Sequence, residues 1–393
     1  MVKKNLKICV VTGSRSEFGL LSSLINLIKD SPFFNLQLIA TGSHLSPEHG
    51  LTISEIESQG LKVDYKLEML MSSDTPTGTV KSMGLALIGI TEAFNNLKPD
   101  MIVILGDRYE MLSVAQSALV YSIPIIHIHG GELTEGAYDD AIRHSITKMS
   151  SLHFVSTEIY RKRVIQLGER PEKTFNVGAL CIDSINNKTL FNKKELEENL
   201  SINLLKKNII ITYHPTTKSL EDDKNTLNSI FKLIKIFPEF LFLFTMPNAD
   251  DRSRELKGMI DTFSKSEKNV FSYNSIGQKN YLSCLSYFDL VLGNSSSGII
   301  EAPFFNIPTV NIGDRQLGRI CGETIINSTS NFDSILKSFR TALSQDFVNK
   351  KKNTINPYCS GNKSPSKEII KILENLDYEF ILEKRFYDIE FNY

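Results

Sequence analysis

Short apolar runs recur along this chain, each ending at a glycine or at small polar residues and each followed by a helical pattern, and that order leaves few folds open. Met101–Leu105 and Leu290–Leu292 are wholly apolar, and Lys7–Val11 and Ile209–Thr212 are rich in β-branched residues. Parallel strands covered on both faces read this way, because neither face needs polar residues. The segments between them carry apolar residues at helical spacing, such as Leu20, Leu21, Leu24, Ile25 and Ile28, or Met83, Leu87, Ile90 and Phe94. Strand, turn and helix in alternation predict the α/β class. At 393 residues the chain is too long for one ordinary core. Between Ile185 and Asn208 the composition turns charged and Asn-rich, and the strand-helix layout then starts again without a repeat of sequence. The expectation is two Rossmann-like domains facing a cleft: residues 1–182, residues 183–360, and a C-terminal helix and tail over 361–393.

Lysine and arginine total 44 against 45 acids, a net charge of -1, so no basic footprint argues for nucleic acid or an acidic membrane surface. The cysteines (Cys9, Cys181, Cys284, Cys321, Cys359) are odd in number and never in Cys-x-x-Cys spacing. They read as thiols of a reducing compartment rather than disulfides or a zinc site. No signal-peptide core follows Met1 and no apolar run reaches the length of a membrane span, so the expected location is the cytoplasm.

Open parallel sheets bind ligands beyond the C-terminal ends of their strands, so the loops there hold the candidate functional residues. The run Leu290–Leu292 stops at Gly293, and a helix start is expected at Ser296 or Ser297. Such a turn presents backbone N–H groups and the positive end of a helix dipole beside the Ser295 and Ser296 hydroxyls, which suits a diphosphate. A serine N-cap on an ordinary helix gives the same pattern. Glu301, one turn on, would repel phosphate but can accept hydrogen bonds from ribose or sugar hydroxyls. The first strand leads into Thr12–Gly19, where Gly13 and Gly19 are the only glycines and the dinucleotide fingerprint is missing. Arg15 there is either a fork for phosphate oxygens or a solvated surface residue. His44, His214, Asn248, Ser275 and Arg315 follow later strands in the same manner. Asp107 and Arg108 follow Met101–Leu105; a helix cap would explain the aspartate but not the arginine. In the strand expected over Ile123–His129, period-two alternation puts His127 and His129 on one face. No further ligands stand at a recognised metal spacing, so no metal is expected. Glu132 and Asp139 then sit on one loop before a helix carrying Asp140, Arg143 and His144. Asp139 alone reads as a cap. Glu132, Asp139 and Asp107 together exceed what capping needs, and a like-charge cluster is how an enzyme raises the pKa of one acid while another stays ionised.

TGSR at Thr12–Arg15, LGDRYE at Leu105–Glu110, HIHGGE at His127–Glu132, DDAIRH at Asp139–His144, GNSSSGIIE at Gly293–Glu301 and NIGDRQ at Asn311–Gln316 stand in order along the chain. Jointly they resemble the hydrolysing UDP-N-acetylglucosamine 2-epimerases of sialic acid synthesis. The similar enzymes of the legionaminic acid route, acting on UDP-2,4-diacetamido-2,4,6-trideoxyglucose, carry much the same motifs. The resemblance implies a GT-B-like architecture, a homodimer, a UDP-sugar substrate, and no cofactor or metal. It implies removal of the C2 proton as UDP leaves C1, then addition of water to the glycal. By motif position Asp107, Glu132 and Asp139 correspond to the acid/base carboxylates and His214 to a histidine near the diphosphate. Arg15, Ser295, Ser296, Glu301 and Arg315 match nucleotide-binding positions, with Gly19, His44, Arg143, Asn248, Ser275 and Gly298 as further expected substrate contacts. Many relatives have glutamate where this chain has His129, so the second acid/base role falls to Glu132 or to His129. A glycosyltransferase of the same architecture would need an acceptor, and a non-catalytic nucleotide-sugar sensor would not need the carboxylates.

Overall fold

The computed structural model describes residues 5–73, 75–134, 138–187, 189–216, 220–246, 253–350, 356–359, 361 and 364–390. Two parallel sheets carry the fold. The first has β1 (Leu6–Thr12), β2 (Phe34–Thr41), β3 (Tyr65–Leu67), β4 (Met101–Leu105), β5 (Ile125–Ile128), β6 (Leu152–Val155) and β7 (Thr174–Asn176), in the order β3-β2-β1-β4-β5-β6-β7. The second has β8 (Asn208–Thr212), β9 (Leu241–Thr245), β10 (Val270–Tyr273), β11 (Leu290–Gly293), β12 (Thr309–Ile312) and β13 (Ile325–Ser328), in the order β10-β9-β8-β11-β12-β13.

Alternation along the strands explains why the first sheet reads as continuously apolar. Ile8, Val10, Val103 and Leu105 pack on one face with the helix Arg15–Asp30, while Cys9, Val11, Ile102 and Ile104 pack on the other with the helices Pro76–Leu97 and Tyr109–Val120. Both faces are core, so neither shows the polar alternation of a half-exposed sheet. The second sheet is built the same way around Ile209, Ile211, Phe242, Phe244, Leu290 and Leu292.

Two expected boundaries move. The first helix begins at Arg15, inside the stretch read as a turn, because Ser14 caps it by accepting the Glu17 N–H while Glu17 reaches back to the Gly13 N–H at 2.7 Å. This is the Ser-x-x-Glu start signal, displaced by one residue on its return bond. β5 stops at Ile128, since His129 takes a left-handed φ of 63°, so the expected alternation of His127 and His129 on one strand face does not hold. β7 ends at Asn176, and Gly178 at φ 88° turns the chain toward the helix Cys181–Asn187.

The chain divides into two compact units: Met1–Glu132 with Asp139–Asn186 and Tyr358–Tyr393, and Leu133–Tyr138 with Asn187–Pro357. The C-terminal residues belong to the first unit's core. Ile369, Leu373 and Ile381 join its apolar cluster, and the Tyr358 and Tyr160 hydroxyls meet at 2.8 Å. Buried Glu169 holds Lys148 at 2.6 Å, Lys384 at 2.7 Å and His153 at 3.1 Å, which ties the tail to the strand β6. Among the described residues no helix is long and apolar enough to cross a membrane.

Candidate active site

In the first sheet the direction of strand addition reverses between β1 and β4, and the loops leaving those strands form the switch point where such sheets bind ligands. Gly106, at φ 76°, turns the chain out of β4 and sets Asp107 at the strand end. Arg143, in the second turn of the helix Asp139–Met149, is 3% exposed and gathers the neighbouring groups. Its Nη2 is hydrogen-bonded to the Asp107 carboxylate. Its Nη1 donates to the His129 carbonyl at 2.9 Å and lies 3.6 Å from Glu132 Oε2.

His129 and Glu132 form one unit. The Leu180 backbone N–H can only donate, so His129 Nε2, at 3.2 Å, accepts. The ring proton then sits on Nδ1, 3.1 Å from Glu132 Oε1, and Glu132 Oε1 also accepts from Ser156 Oγ at 2.9 Å. The Asp107 side chain is 19% exposed against 2% for Glu132, so Asp107 is the more open of the two. The cluster expected from sequence to be one of like charges therefore has a guanidinium at its centre, bonded to the Asp107 carboxylate and 3.6 Å from Glu132 Oε2.

A second carboxyl pair lies at the ends of the same strands. Glu17 Oε2 accepts the Gly13 N–H at 2.7 Å, and Arg108 Nε donates to Glu110 Oε1 at 2.7 Å. A Cβ on Gly13 would stand 2.7 Å from that same Glu110 oxygen, so only glycine admits the pair. Burial first, then the Glu110 carboxylate, push the Glu17 pKa up to about 8, against the opposing pull of Arg108.

In the second sheet the reversal falls between β8 and β11. Gly293 has φ 136°, and a Cβ there would stand 2.0 Å from the Thr212 carbonyl oxygen, so the residue ending β11 must be glycine. Ser295 caps the short helix Ser296–Ile300 and accepts the Ser297 N–H at 3.4 Å. Ser297 Oγ links Tyr281 OH, at 2.6 Å, to the Glu301 carboxylate. Burial and the nearby Glu301 charge push the Tyr281 phenol pKa up. Asn294, 1% exposed, ties three strand ends together: its side chain pairs with the backbone of His214, and its carbonyl accepts from Gln316 Nε2 at 2.8 Å and Arg315 Nη1 at 3.3 Å.

With these geometries in hand, comparison with known proteins is direct. The family model described as UDP-N-acetylglucosamine 2-epimerase matches residues 26–374. The chain belongs to that family. It is 43% identical over 386 residues, 98% of this chain and 99% of the relative, to a hydrolysing GDP/UDP-N,N'-diacetylbacillosamine 2-epimerase of Campylobacter jejuni. It is 37% identical over 390 residues, 98% of this chain and 97% of the relative, to the polysialic acid biosynthesis protein P7 of Escherichia coli. The crystal structure of the Neisseria meningitidis UDP-GlcNAc 2-epimerase bound to UDP-GlcNAc superposes with a TM-score of 0.81 at 22% identity, covering 94% of this chain and all of that one, which fixes the GT-B-like fold class.

Within this member of the family, the residues singled out from sequence fall into distinct groups. Asp107, Glu132, His129 and Arg143 come together, and Asp139 opens the Arg143-bearing helix, half-buried. His214, Ser295, Ser296, Arg315 and Glu301 gather at the ends of β8, β11 and β12. Ser275 lies in the loop after β10, and Asn248 lies outside the described residues. Arg15 pairs with Glu55 at 2.8 Å.

Three expected substrate contacts also carry bonds or packing within the fold. His44 is fully buried, with Nε2 3.0 Å from Thr12 Oγ1 and Nδ1 2.8 Å from Thr52 Oγ1, so both ring nitrogens brace the first unit. Burial also pulls its pKa down to about 4, which keeps the ring neutral. Gly298 serves packing: a Cβ would stand 2.8 Å from Thr309 Cγ2, and its carbonyl accepts from Thr309 Oγ1 at 2.8 Å. Gly19 lies within the helix Arg15–Asp30, its carbonyl accepting from Ser22 and Ser184 hydroxyls at 3.1 Å each. His127 is likewise committed, with Nε2 2.8 Å from the Gly106 carbonyl, where it steadies the turn that carries Asp107. Glu17, Glu110 and Asn294 are the residues that sequence reasoning passed over. Ser-x-x-Glu was the available signal for the first; the other two stand inside the LGDRYE and GNSSSGIIE motifs, where no role was assigned to them.

Proposed function

We propose that this protein is a hydrolysing 2-epimerase of a UDP-linked 2-acetamido sugar. The C2–H bond breaks and its electrons form the C1–C2 double bond, while the C1–O bond breaks and its pair leaves with UDP. A proton then returns to C2 from the opposite face and water supplies the hydroxyl at C1. The observation that carries this reading is the Asp107–Arg143–Glu132–His129 cluster at a sheet switch point, with one carboxylate partly open and the other held. A C2–H is a very weak acid, so proton removal needs a positioned base and a stabilised leaving group. Asp107 is the residue assigned to C2, with Asp139 as its partner acid and Glu132 with His129 as the support that fixes Arg143. Ser295, Ser296, His214 and Arg315 take the diphosphate, and Glu301 accepts from hydroxyls of the nucleotide.

For the sugar, 43% identity to a diacetylbacillosamine enzyme supports a 2,4-diacetamido-2,4,6-trideoxy sugar. The 37% identity to protein P7 supports the second reading, UDP-N-acetylglucosamine converted to N-acetylmannosamine for sialic acid. Incubating the protein with each UDP-sugar in deuterated water separates them: the true substrate yields UDP and a free 2-epimerised sugar carrying deuterium at C2. Recovery of both UDP-sugars intact, or product without deuterium, would overturn the reaction assigned here.

We propose further that the protein works in the cytoplasm as a homodimer. The helices Pro76–Leu97 and Tyr109–Val120 leave Val80 67%, Ile88 69%, Leu119 52% and Val120 82% exposed, an apolar surface that a second copy would cover. Ile88→Glu is expected to convert the dimer to monomer in sedimentation experiments; an unchanged sedimentation coefficient would remove this face from consideration.

A further inference from the structure

We infer that Asn294 is a positioning residue for nucleotide binding, acting through His214; the inference rests on the reading that His214, Ser295 and Arg315 receive the diphosphate. β11 pairs with β8 in register only as far as Gly293 opposite Thr212, where the Asn294 N–H donates to the Thr212 carbonyl at 3.1 Å. At that point the positive φ of Gly293 carries the β11 backbone away, and the next residues of β8's path would lose their ladder partner. The Asn294 carboxamide takes over. Its Oδ1 accepts the His214 N–H at 2.7 Å, and its Nδ2 donates to the His214 carbonyl at 2.8 Å.

An extended residue shows its own N–H and C=O to the same side, and a primary carboxamide offers one acceptor and one donor at matching separation. The side chain therefore extends the sheet by one rung where the main chain has left. Few alternatives meet that requirement. Aspartate has no donor for the His214 carbonyl, serine has a single polar atom, and glutamine is one methylene too long. The main-chain carbonyl of the same residue holds Arg315 at 3.3 Å and Gln316 at 2.8 Å. Asn294 thus sets the relative placement of the three loops that follow β8, β11 and β12. A donor set aimed in advance at an anion loses less in ordering on binding than one free to move.

The test separates positioning from plain stability by a double-mutant cycle on UDP binding. His214→Ala removes the imidazole but keeps the backbone N–H and C=O that Asn294 grips. Asn294→Ala removes the grip without adding charge near the diphosphate, which Asn294→Asp would do. The chain contains no tryptophan, so titration calorimetry with UDP is the suitable readout. Asn294→Ala is expected to weaken UDP binding about tenfold or more in the otherwise native protein, and by less than about threefold when His214 is already alanine. Equal losses in both backgrounds, or native affinity in Asn294→Ala, would overturn the inference while leaving the nucleotide site intact. Failure of the unaltered protein to bind UDP would instead overturn the underlying reading and the inference with it. If Asn294→Ala does not fold, Asn294→Ser, which keeps a short hydroxyl toward His214, carries the same cycle with the same expected split.

Discussion

Asp107→Asn is expected to lower kcat by about 10²- to 10⁴-fold, the range that general acid-base groups contribute, while UDP affinity changes by less than about twofold. The substitution is nearly isosteric, and the Asn carbonyl oxygen still accepts from Arg143 Nη2, so the guanidinium keeps its bond to the His129 carbonyl at 2.9 Å. What is lost is the ability to take a proton. The residues assigned to the diphosphate, Ser295, Ser296, His214 and Arg315, belong to the second unit, and the substitution alters none of their side chains. Quenched-flow turnover with parallel calorimetry of UDP binding measures both quantities. Turnover within tenfold of the native enzyme would remove Asp107 from the chemistry and move the role to Asp139. A parallel loss of kcat and of UDP affinity would point to collapse of the cluster rather than to a missing base.

The same cluster illustrates what the sequence could and could not say. Apolar runs set the strands β1, β4, β8 and β11 correctly, because a strand buried on both faces has one composition wherever it occurs. Strand ends then located Asp107, His214 and Ser295 without knowledge of any side-chain contact. The partners were beyond reach. Arg143 lies 36 residues from Asp107, and Asn294 lies 80 residues from His214, so no local pattern registers either pairing. His129 shows the limit of periodicity: alternation assumes an extended backbone, and a single left-handed residue ends it. The helix Lys193–Leu200, with a full capping box at Asn192 and Glu195, lay unread in the charged stretch because its charges outweighed its two buried leucines, Leu196 and Leu200. The return of the chain after Tyr358 to the first unit rests on contacts such as Asp183 to the Ser366 N–H at 2.8 Å, across 183 positions. The choice of sugar is harder still, since it turns on a few contacts that neither fold nor motif determines.

Glu17→Gln is expected to stabilise the protein at alkaline pH and to flatten its stability profile below that. Glu17 is buried, its Oε2 is taken by the Gly13 N–H, and Glu17 Oε1 and Glu110 Oε2 each lack a hydrogen-bond partner among the described residues. Burial and the Glu110 charge raise its pKa from 4.5 to about 8. An acid whose folded pKa lies above its unfolded value holds a proton in the folded state that the unfolded chain has already released. Its stabilising contribution is complete below the unfolded pKa and is lost as pH rises through the window to about 8. At about 1.4 kcal/mol for each pH unit over which the two states differ by one proton, the loss across the window is a few kcal/mol. Glutamine keeps an acceptor for Gly13, offers its amide hydrogens toward Glu110, and has no proton to lose. Thermal unfolding of both forms from pH 5 to pH 9 is the measurement. The native protein should lose on the order of 5 °C of Tm more than Glu17→Gln between pH 5 and pH 9, with the curves diverging mainly below pH 8. Parallel Tm profiles for the two proteins would mean that Glu17 ionises normally, and that the carboxyl pair around Gly13 carries two charges that Arg108 is enough to hold.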